Sequence, residues 1–380
     1  MKAIIHFGHH KIGSTALQAF FFRNQAALIR AGILYPAVES EGLAHILSQL
    51  LDQHPHLADD VRDGLNKAQQ APLSMNAREP HNALAFQMLA QATKAAPPPW
   101  HADLPNVRHM AQTIALQTHA LHPHTVVLCS EVMSNFGPNH PDLIDRVRKI
   151  LPNAKHELYC VLRRPDEYLI SWHAQRLRFG NKVRPLSGGA ALNYTSGIHF
   201  DYRKVVEPWA TAFPDAPLRL RNYADVLKAG GSAEDFFGAN GLQMPRGMGA
   251  LGRANESLPR AAMEIARRAN HDLSPENAEA MRNFLLTCHR HISLPANRDV
   301  EMFGADLRIT LAERFAPIHD WLSAQTNQPA FFPDIDEMIK TRPLPEEEAM
   351  AQLLKRIDTA ALPNDTLRDF IRTLAHHSAA

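Results

Sequence analysis

Short apolar runs alternate with amphipathic stretches along the first two thirds of the chain, and this alternation predicts strands and helices in turn. Buried strands are predicted at 3–7, 125–129, 157–162 and 218–223. Helices are predicted at about 17–28, 43–51, 82–95, 107–121, 142–151, 166–178 and 202–213. Strands that alternate with helices are typical of a parallel sheet covered on both faces. We therefore expect a three-layer α/β fold whose central parallel sheet has the first strand in its middle.

Two other segments are helical without a strand pattern. Residues 40–122 separate the first strand–helix unit from the second strand and predict a helical insertion. Such an insertion usually lies over a sheet edge, where it either shapes an acceptor pocket or only covers the sheet. Residues 259–380 predict a mostly helical extension, with helices near 259–270, 275–290, 346–357 and 365–374. We expect both segments to belong to a single domain over 1–380.

The turn after the first strand is the first candidate for chemistry. Residues 8–15 read Gly-His-His-Lys-Ile-Gly-Ser-Thr and lead into a helix. Such a turn binds phosphate-like anions, because backbone N–H groups and the positive end of the helix dipole converge there. A nucleotide-triphosphate loop reads G-x-x-x-x-G-K-[ST], but here Ser14 follows the second glycine and Lys11 precedes Gly13. The turn predicts a P-loop-type anion site with a displaced lysine.

A second motif follows the third predicted strand. It runs from Arg163-Arg164-Pro165 to Ser171-Trp172. A guanidinium fork with a hydroxyl suits a dianionic phosphate, and proline is tolerated at a helix start. The alternative is a solvated arginine pair and a serine packed within its helix. In open parallel sheets ligands bind beyond the carboxyl ends of the strands, where these arginines, the first turn and Glu131 are all predicted.

In order and spacing, the two motifs resemble those of sulfotransferases that use 3′-phosphoadenosine 5′-phosphosulfate (PAPS). The pattern H-x-G-x-x-K-x-G-S-T-x-L-Q, followed by G-I-L-Y-P at 32–36, is similar to the bacterial branch of that family. The pattern R-x-P-x-x-x-x-x-S-[WY] is matched with Arg163 and Ser171. The resemblance covers about 1–36 and 125–258. It implies transfer of a sulfuryl group from PAPS to an acceptor hydroxyl, without a metal ion.

The resemblance also implies the donor-binding residues. Lys11 would neutralise the bridging oxygen as the bisphosphate product leaves. The 5′ group would be held by the loop residues Ile12, Gly13, Ser14 and Thr15. The 3′-phosphate would be bound by Arg163 and Ser171, with Arg253 as a further candidate because 252–257 is similar to an N-x-S segment of bacterial members.

The acceptor hydroxyl needs a general base, for which Glu131 is our prediction. The alternatives are His173 and the pair His9/His10. The chain departs from the cytosolic branch of the family at Ile12 and Ala16, and it has no R-K-G-x-x-G-D-W-K motif. Two other functions stay open: a P-loop kinase or nucleotide hydrolase with a degenerate loop, and a non-catalytic sulfotransferase-like binding domain.

Composition limits the classes of partner that we expect the protein to bind. The 380 residues carry a formal charge of +1, so no global basic field indicates nucleic acid or an anionic membrane. The three cysteines are scattered, and the 22 histidines lack recognised ligand spacings, so we predict no metal site. No run approaches the roughly 20 apolar residues of a membrane span. We expect a cytoplasmic enzyme that takes a nucleotide donor and a hydroxyl acceptor, with a glycan or lipid-linked glycan favoured.

Overall fold

A computed structural model describes residues 1–52, 54, 56–69, 72–248 and 257–377. The chain divides into two compact units. The first consists of Met1–Arg163 and Tyr202–Ala254, and the second of Arg164–Asp201 and Asn255–Ala380. That all 380 residues form one domain stays a prediction.

The first unit is built on a five-stranded parallel sheet in the order β2-β3-β1-β4-β5. Its strands are β1 (Lys2–His6), β2 (Ile33–Leu34), β3 (Thr125–Cys129), β4 (Lys155–Leu162) and β5 (Leu218–Asn222). The predicted α/β fold with a central parallel sheet and β1 in its middle is confirmed. The strand β2 was not predicted, because two paired residues are too short to show a pattern.

The α-helices of the described residues are numbered in chain order. They are α1 (Ser14–Arg23), α2 (Gln25–Arg30), α3 (Ser40–Asp52), α4 (Asp59–Gln69), α5 (Met75–Arg78), α6 (Pro80–Thr93), α7 (Val107–Leu121), α8 (Phe136–Asn139), α9 (Asp142–Arg148), α10 (Pro165–Arg178), α11 (Ala191–Tyr194), α12 (Arg203–Ala212), α13 (Tyr223–Lys228), α14 (Ser232–Ala239), α15 (Arg260–Asp272), α16 (Pro275–Thr287), α17 (Ala305–Thr326), α18 (Glu346–Leu354) and α19 (Asp365–His377).

Helices cover both faces of the sheet. On one face Ile4, Val127 and Val161 pack with apolar residues of α1, α13 and α14 in one buried cluster. On the other face Phe7 stacks on Trp209 of α12 at 4.6 Å between ring centroids. Burial of these apolar side chains is the main force that holds helices to a sheet. Because α1 is fixed in this way, the turn between β1 and α1 has a defined position.

Three local differences from the predicted elements have physical causes. The helix predicted over 17–28 breaks between α1 and α2, because the Asn24 side chain donates to the Phe20 carbonyl at 2.8 Å and competes with helical bonding. The 22-residue helix α17 was not predicted; it contains Pro317, which interrupts a helical pattern. Between the helices predicted over 166–178 and 202–213, the structure contains the helical turn Leu186–Ala190 and α11, which were not predicted.

The second unit is mainly helical and contains α10, α11 and α15 to α19. It also contains a two-stranded parallel sheet of β6 (Val300–Glu301) and β7 (Leu344–Pro345). Arg308, only 1% exposed, donates to Glu301 at 2.8 Å and lies 3.7 Å from Asp166 of α10. These ion pairs fix the start of α10 within the unit. Across the described residues no helix is long and apolar enough to cross a membrane.

A buried carboxylate ties α14 to the neighbouring strands β4 and β5. Asp235 is 3% exposed, accepts from the Tyr159 hydroxyl at 2.7 Å, and pairs with Arg221 at 2.6 Å.

We expect Asp235→Ala to lower the free energy of unfolding by about 2–3 kcal/mol, because it leaves a buried hydroxyl and a guanidinium without their acceptor. Urea denaturation followed by circular dichroism measures the change. Asp225→Ala, which removes an exposed pair with Lys228, should change it by less than about 1 kcal/mol. Equal decreases in the free energy of unfolding for the two variants would contradict this role of Asp235.

Candidate active site

The turn between β1 and α1 has an unusual backbone. Lys11 and Gly13 have positive φ angles of 62° and 87°, whereas Ile12 between them does not. A non-glycine residue with positive φ is uncommon, and such strain is found mostly at functional sites. Alternation between the two backbone hands directs successive N–H groups into one concavity, which is an arrangement that binds anions.

The same turn leads directly into the N-terminus of α1. The backbone N–H groups of Ala16 and Leu17 donate to the Gly13 carbonyl at 3.0 and 3.1 Å, so the helix begins there. The first N–H groups of a helix have no intrahelical acceptor and can bind a ligand. Ser14 is buried and Thr15 partly exposed. The Ile12 side chain is 2% exposed within the apolar core, so Ile12 can offer only its backbone.

Three residues from the ends of other elements lie beside this turn. The Arg163 guanidinium, after β4, lies 5.3 Å from the ring centroid of Tyr223, after β5. A Cβ atom on Gly13 would lie 4.0 Å from the Tyr223 ring and would overlap the Ser232 hydroxyl at the start of α14. The turn, a cation and an aromatic ring therefore meet at the carboxyl edge of the sheet. Neither Tyr223 nor Ser232 was predicted as a site residue, although Tyr223 is the last residue of a predicted strand.

The two neighbouring arginines have different roles. Arg164 is 9% exposed, donates to Asp166 at 2.7 Å and pairs with Asp334, all within the second unit. Arg164 is therefore a structural residue. Arg163 lies in the first unit and is the arginine beside the anion turn.

The remaining predicted phosphate ligands, Ser171 and Arg253, are not tested by the geometry of the first unit. Ser171 is partly exposed within α10 of the second unit, and Arg253 lies outside the described residues. A 3′-phosphate site formed by Arg163 with Ser171 therefore stays a prediction. The alternative base His173 is in the second unit, where its Nδ1 lies 3.0 Å from the Tyr194 hydroxyl. Burial lowers the pKa of His173 to about 4.

Glu131 follows β3 and begins a short helical turn, Glu131–Asn135. Its carboxylate accepts from Gln18 Nε2 at 3.0 Å and from Asn82 Nδ2 at 3.3 Å. The N-terminal end of that turn is capped by Ser130, whose Oγ accepts from the Val132 N–H at 3.2 Å. Because Ser130 caps this turn, the Glu131 carboxylate does not act as the cap. It accepts hydrogen bonds from the side-chain amides of Gln18 and Asn82 instead.

His10 connects Glu131 with the anion turn. Burial lowers the pKa of His10, the Glu131 carboxylate acts in the opposite direction, and the Lys11 ammonium lowers it further. His10 Nε2 also lies 3.4 Å from Asn135 Nδ2. Lys11 and Glu131 thus both lie close enough to His10 to influence its protonation. His9 is buried, with its ring centroid 5.1 Å from that of Tyr202.

The helical insertion supplies polar groups that the sequence analysis did not predict. Glu79 and Asn82 stand at the start of α6, and Asn82 donates to Glu79 at 2.8 Å. The pKa of Glu79 is raised by burial and by the nearby Glu131 carboxylate. Gln18 was visible in the first motif but had no assigned role. A lone Glu or Asn within a helical segment gives no signal of its own, so only the fold could identify these residues.

Part of the chain is similar to a protein of Archaeoglobus fulgidus that is described as uncharacterized. The two are 29% identical over 170 residues, which is 43% of this chain and 44% of the relative. No protein-family model matches the sequence, and no solved structure matches it. The aligned region is less than half of either protein, and the relative's description names no activity.

Gly13 is the position in the turn where a side chain is excluded. Gly13→Ala should lower the free energy of unfolding by about 1–2 kcal/mol for its left-handed backbone alone, and by more because of the overlap with Ser232. Thermal unfolding measures this. The control Gly64→Ala adds a Cβ in α4 that meets nothing within 4 Å, and it should be neutral or stabilising by up to about 1 kcal/mol. A harmless Gly13→Ala would contradict the described turn.

Proposed function

We propose that this protein is a sulfotransferase that moves a sulfuryl group from PAPS to an acceptor hydroxyl. The observation that carries the proposal is the turn with left-handed residues Lys11 and Gly13, with Arg163 beside it and Glu131 at the end of the neighbouring strand β3. A nucleotide donor with two separate anionic groups needs two separate cationic subsites. The turn and Arg163 provide such groups at one edge of the sheet.

The turn suits the 5′ end of the donor. Backbone N–H groups of 12–15 and the positive end of the α1 dipole favour a phosphosulfate at this point. Lys11 adds a full positive charge next to them. Arg163 offers a planar guanidinium, which binds phosphate oxygens in pairs, and the neighbouring Tyr223 ring offers a flat apolar surface.

The transfer step follows from these positions. The acceptor oxygen forms a bond to sulfur while the bond between sulfur and the bridging oxygen breaks, and the electron pair of that bond stays on the 5′-phosphate. Lys11 stabilises the negative charge that develops there, and Glu131 accepts the proton of the acceptor hydroxyl. As in phosphoryl transfer, positioning and charge stabilisation supply most of the rate. The proposed reaction requires no metal ion, because a sulfuryl group carries less charge than a triphosphate.

The acceptor in this proposal is a glycan or lipid-linked glycan, and the reaction is cytoplasmic. Support comes from Glu79, a partly exposed carboxylate at the start of α6 beside Glu131, since a carboxylate can accept hydrogen bonds from a hydroxyl-rich molecule. An acceptor panel of neutral glycosides and glycolipids, with release of adenosine 3′,5′-bisphosphate as readout, tests this choice.

A P-loop kinase or nucleotide hydrolase is the second candidate. The position of Glu131 favours it, because a carboxylate directly after a strand next to β1 is where such enzymes bind Mg²⁺. Calorimetric titration with adenosine 3′,5′-bisphosphate and with ATP–Mg²⁺ separates the two. Tighter binding of ATP–Mg²⁺ would overturn the sulfotransferase proposal.

Lys11→Ala should reduce turnover of PAPS by roughly 10²–10³, since it removes one charge-stabilising donor from the departing oxygen. Release of adenosine 3′,5′-bisphosphate with the acceptor panel measures turnover, and thermal unfolding verifies the fold. The matched control Lys355→Ala changes an exposed lysine after α18 and should leave turnover unchanged. Turnover of Lys11→Ala within threefold of the wild type would contradict this role.

Arg163→Ala should weaken binding of adenosine 3′,5′-bisphosphate about 10- to 150-fold, the effect of losing a hydrogen bond to a charged group. Binding of adenosine 5′-phosphosulfate, which lacks the 3′-phosphate, should change little. Ser171→Ala should show the same selectivity if Ser171 contacts that phosphate. Arg178→Ala, an exposed arginine at the end of α10, is the control. Equal losses for both ligands would overturn the assignment of Arg163.

A further inference from the structure

One amide of the insertion donates to two carboxylates. Asn82 Nδ2 lies 2.8 Å from Glu79 Oε2 and 3.3 Å from Glu131 Oε1. Gln18 Nε2 donates to the second oxygen of Glu131 at 3.0 Å. Asn82 and Gln18 are 2% and 1% exposed, so both donors are fixed in the interior. The two carboxylates are consequently held close together on one buried support.

Hydrogen bonds to the oxygen of Asn82 set the direction of its amide. Ser130 Oγ accepts from the Val132 N–H, so its own proton is available for Asn82 Oδ1, which lies 2.7 Å away. Gln18 Nε2 lies 3.2 Å from Asn82 Oδ1 and 3.2 Å from the Cys129 carbonyl oxygen, so its two hydrogens serve three acceptors together with Glu131. The Ser130 hydroxyl therefore sets the direction of the amide, and the NH₂ group of Asn82 faces the carboxylates. If the amide were flipped, the Asn82 oxygen would face the carboxylate oxygens of Glu79 and Glu131, and it could donate a hydrogen bond to neither.

Two carboxylates in such a position repel each other when both are ionised. Burial, and then the Glu131 carboxylate, raise the pKa of Glu79, while Asn82 and Arg78 act in the opposite direction. Interacting carboxyl groups release their protons as a pair rather than independently. The other titratable groups that interact electrostatically with the pair are Tyr35, Cys129, His10 and Arg78.

We infer that Glu79 and Glu131 form one proton-accepting pair, in which Asn82 and Gln18 are positioning residues and the pair takes up the proton of the acceptor. The catalytic part of this inference rests on the proposed function, whereas the pair itself does not. During transfer the proton of the acceptor hydroxyl moves to Glu131 as the new oxygen–sulfur bond forms. The electron pair of the broken bond leaves with the bisphosphate. The proton returns to solvent before the next turnover.

Infrared difference spectroscopy over a pH titration tests the pair without any reaction, because it detects protonated carboxyl groups directly. The spectra of Glu79→Gln, Glu131→Gln and the double variant are compared with those of the wild type. We expect Glu131→Gln to shift the titration of Glu79 to lower pH, because the Glu131 carboxylate contributes to raising the pKa of Glu79, and the double variant to lose the Glu79 signal. If Glu79 titrates in Glu131→Gln as in the wild type, the inference is overturned.

Stability gives a second readout that needs no substrate. A carboxyl whose pKa is raised in the folded state binds a proton more tightly there than in the unfolded chain. Its contribution to the free energy of unfolding is therefore lost as pH rises from the ordinary value of 4.5 through the raised value. Glu79→Gln removes this loss, so the variant should be at least as stable as wild type above that range. A Glu79→Gln protein that loses stability mainly at high pH would oppose the inference.

The pH–rate profile tests the catalytic part. Glu131→Gln should reduce turnover by roughly 10²–10⁴, and Glu79→Gln should move the acidic limb of kcat to lower pH while binding of adenosine 3′,5′-bisphosphate stays unchanged. Glu313→Gln, an exposed carboxyl of α17, is the control and should alter neither. An unshifted acidic limb in Glu79→Gln would overturn the catalytic part. If the chain binds neither PAPS nor the bisphosphate, the proposed function fails, and the infrared result still decides whether the pair exists.

Discussion

Parallel pairing of β1 with strands on both sides is the constraint on which the rest of the candidate site depends. Because β3, β1, β4 and β5 run in the same direction, the residues that follow them emerge at one edge of the sheet. Glu131, the turn before α1, Arg163 and Tyr223 occupy those positions. The apolar layers on the two faces hold the strands and helices in place, so the packing of the sheet sets where these polar groups emerge.

The buried amides perform a different task from the sheet. Asn82 and Gln18 connect the insertion, α1 and the end of β3 through hydrogen bonds to Glu131 and Ser130. Buried polar groups are costly unless each is satisfied, and a satisfied group has few alternative arrangements. The position of α6 is thus determined by hydrogen bonds at its first turn as well as by apolar packing. The insertion therefore contributes hydrogen bonds to the candidate base Glu131 in addition to covering the sheet.

Features formed by residues that are adjacent in the sequence could be predicted, whereas contacts between residues far apart in the sequence could not. The strands β1, β3 and β4 were predicted because each contains a continuous apolar run, and the anion turn because glycine, lysine and hydroxyl residues are adjacent in the chain. Glu79 and Asn82 carry no such signal, since they reach Glu131 only through a contact that joins positions about fifty residues apart. The distinction between Arg163 and Arg164 was equally hidden. Two identical residues that are adjacent in the sequence differ only in their partners in the folded protein. Arg164 forms ion pairs with Asp166 and Asp334, and this could not be predicted from the sequence.

The close approach of Gly13 to Ser232 has a consequence for variation of the chain. The hydroxyl at 232 occupies the volume that any side chain at 13 would need, although the two positions belong to different helices. A larger residue at either position therefore changes what the other can tolerate, and their effects cannot be additive. In related proteins the two positions should covary, with a small residue at one whenever the other is bulkier. The residue type at position 232 therefore constrains which residue types the first turn can accept at position 13, although the two positions are far apart in the sequence.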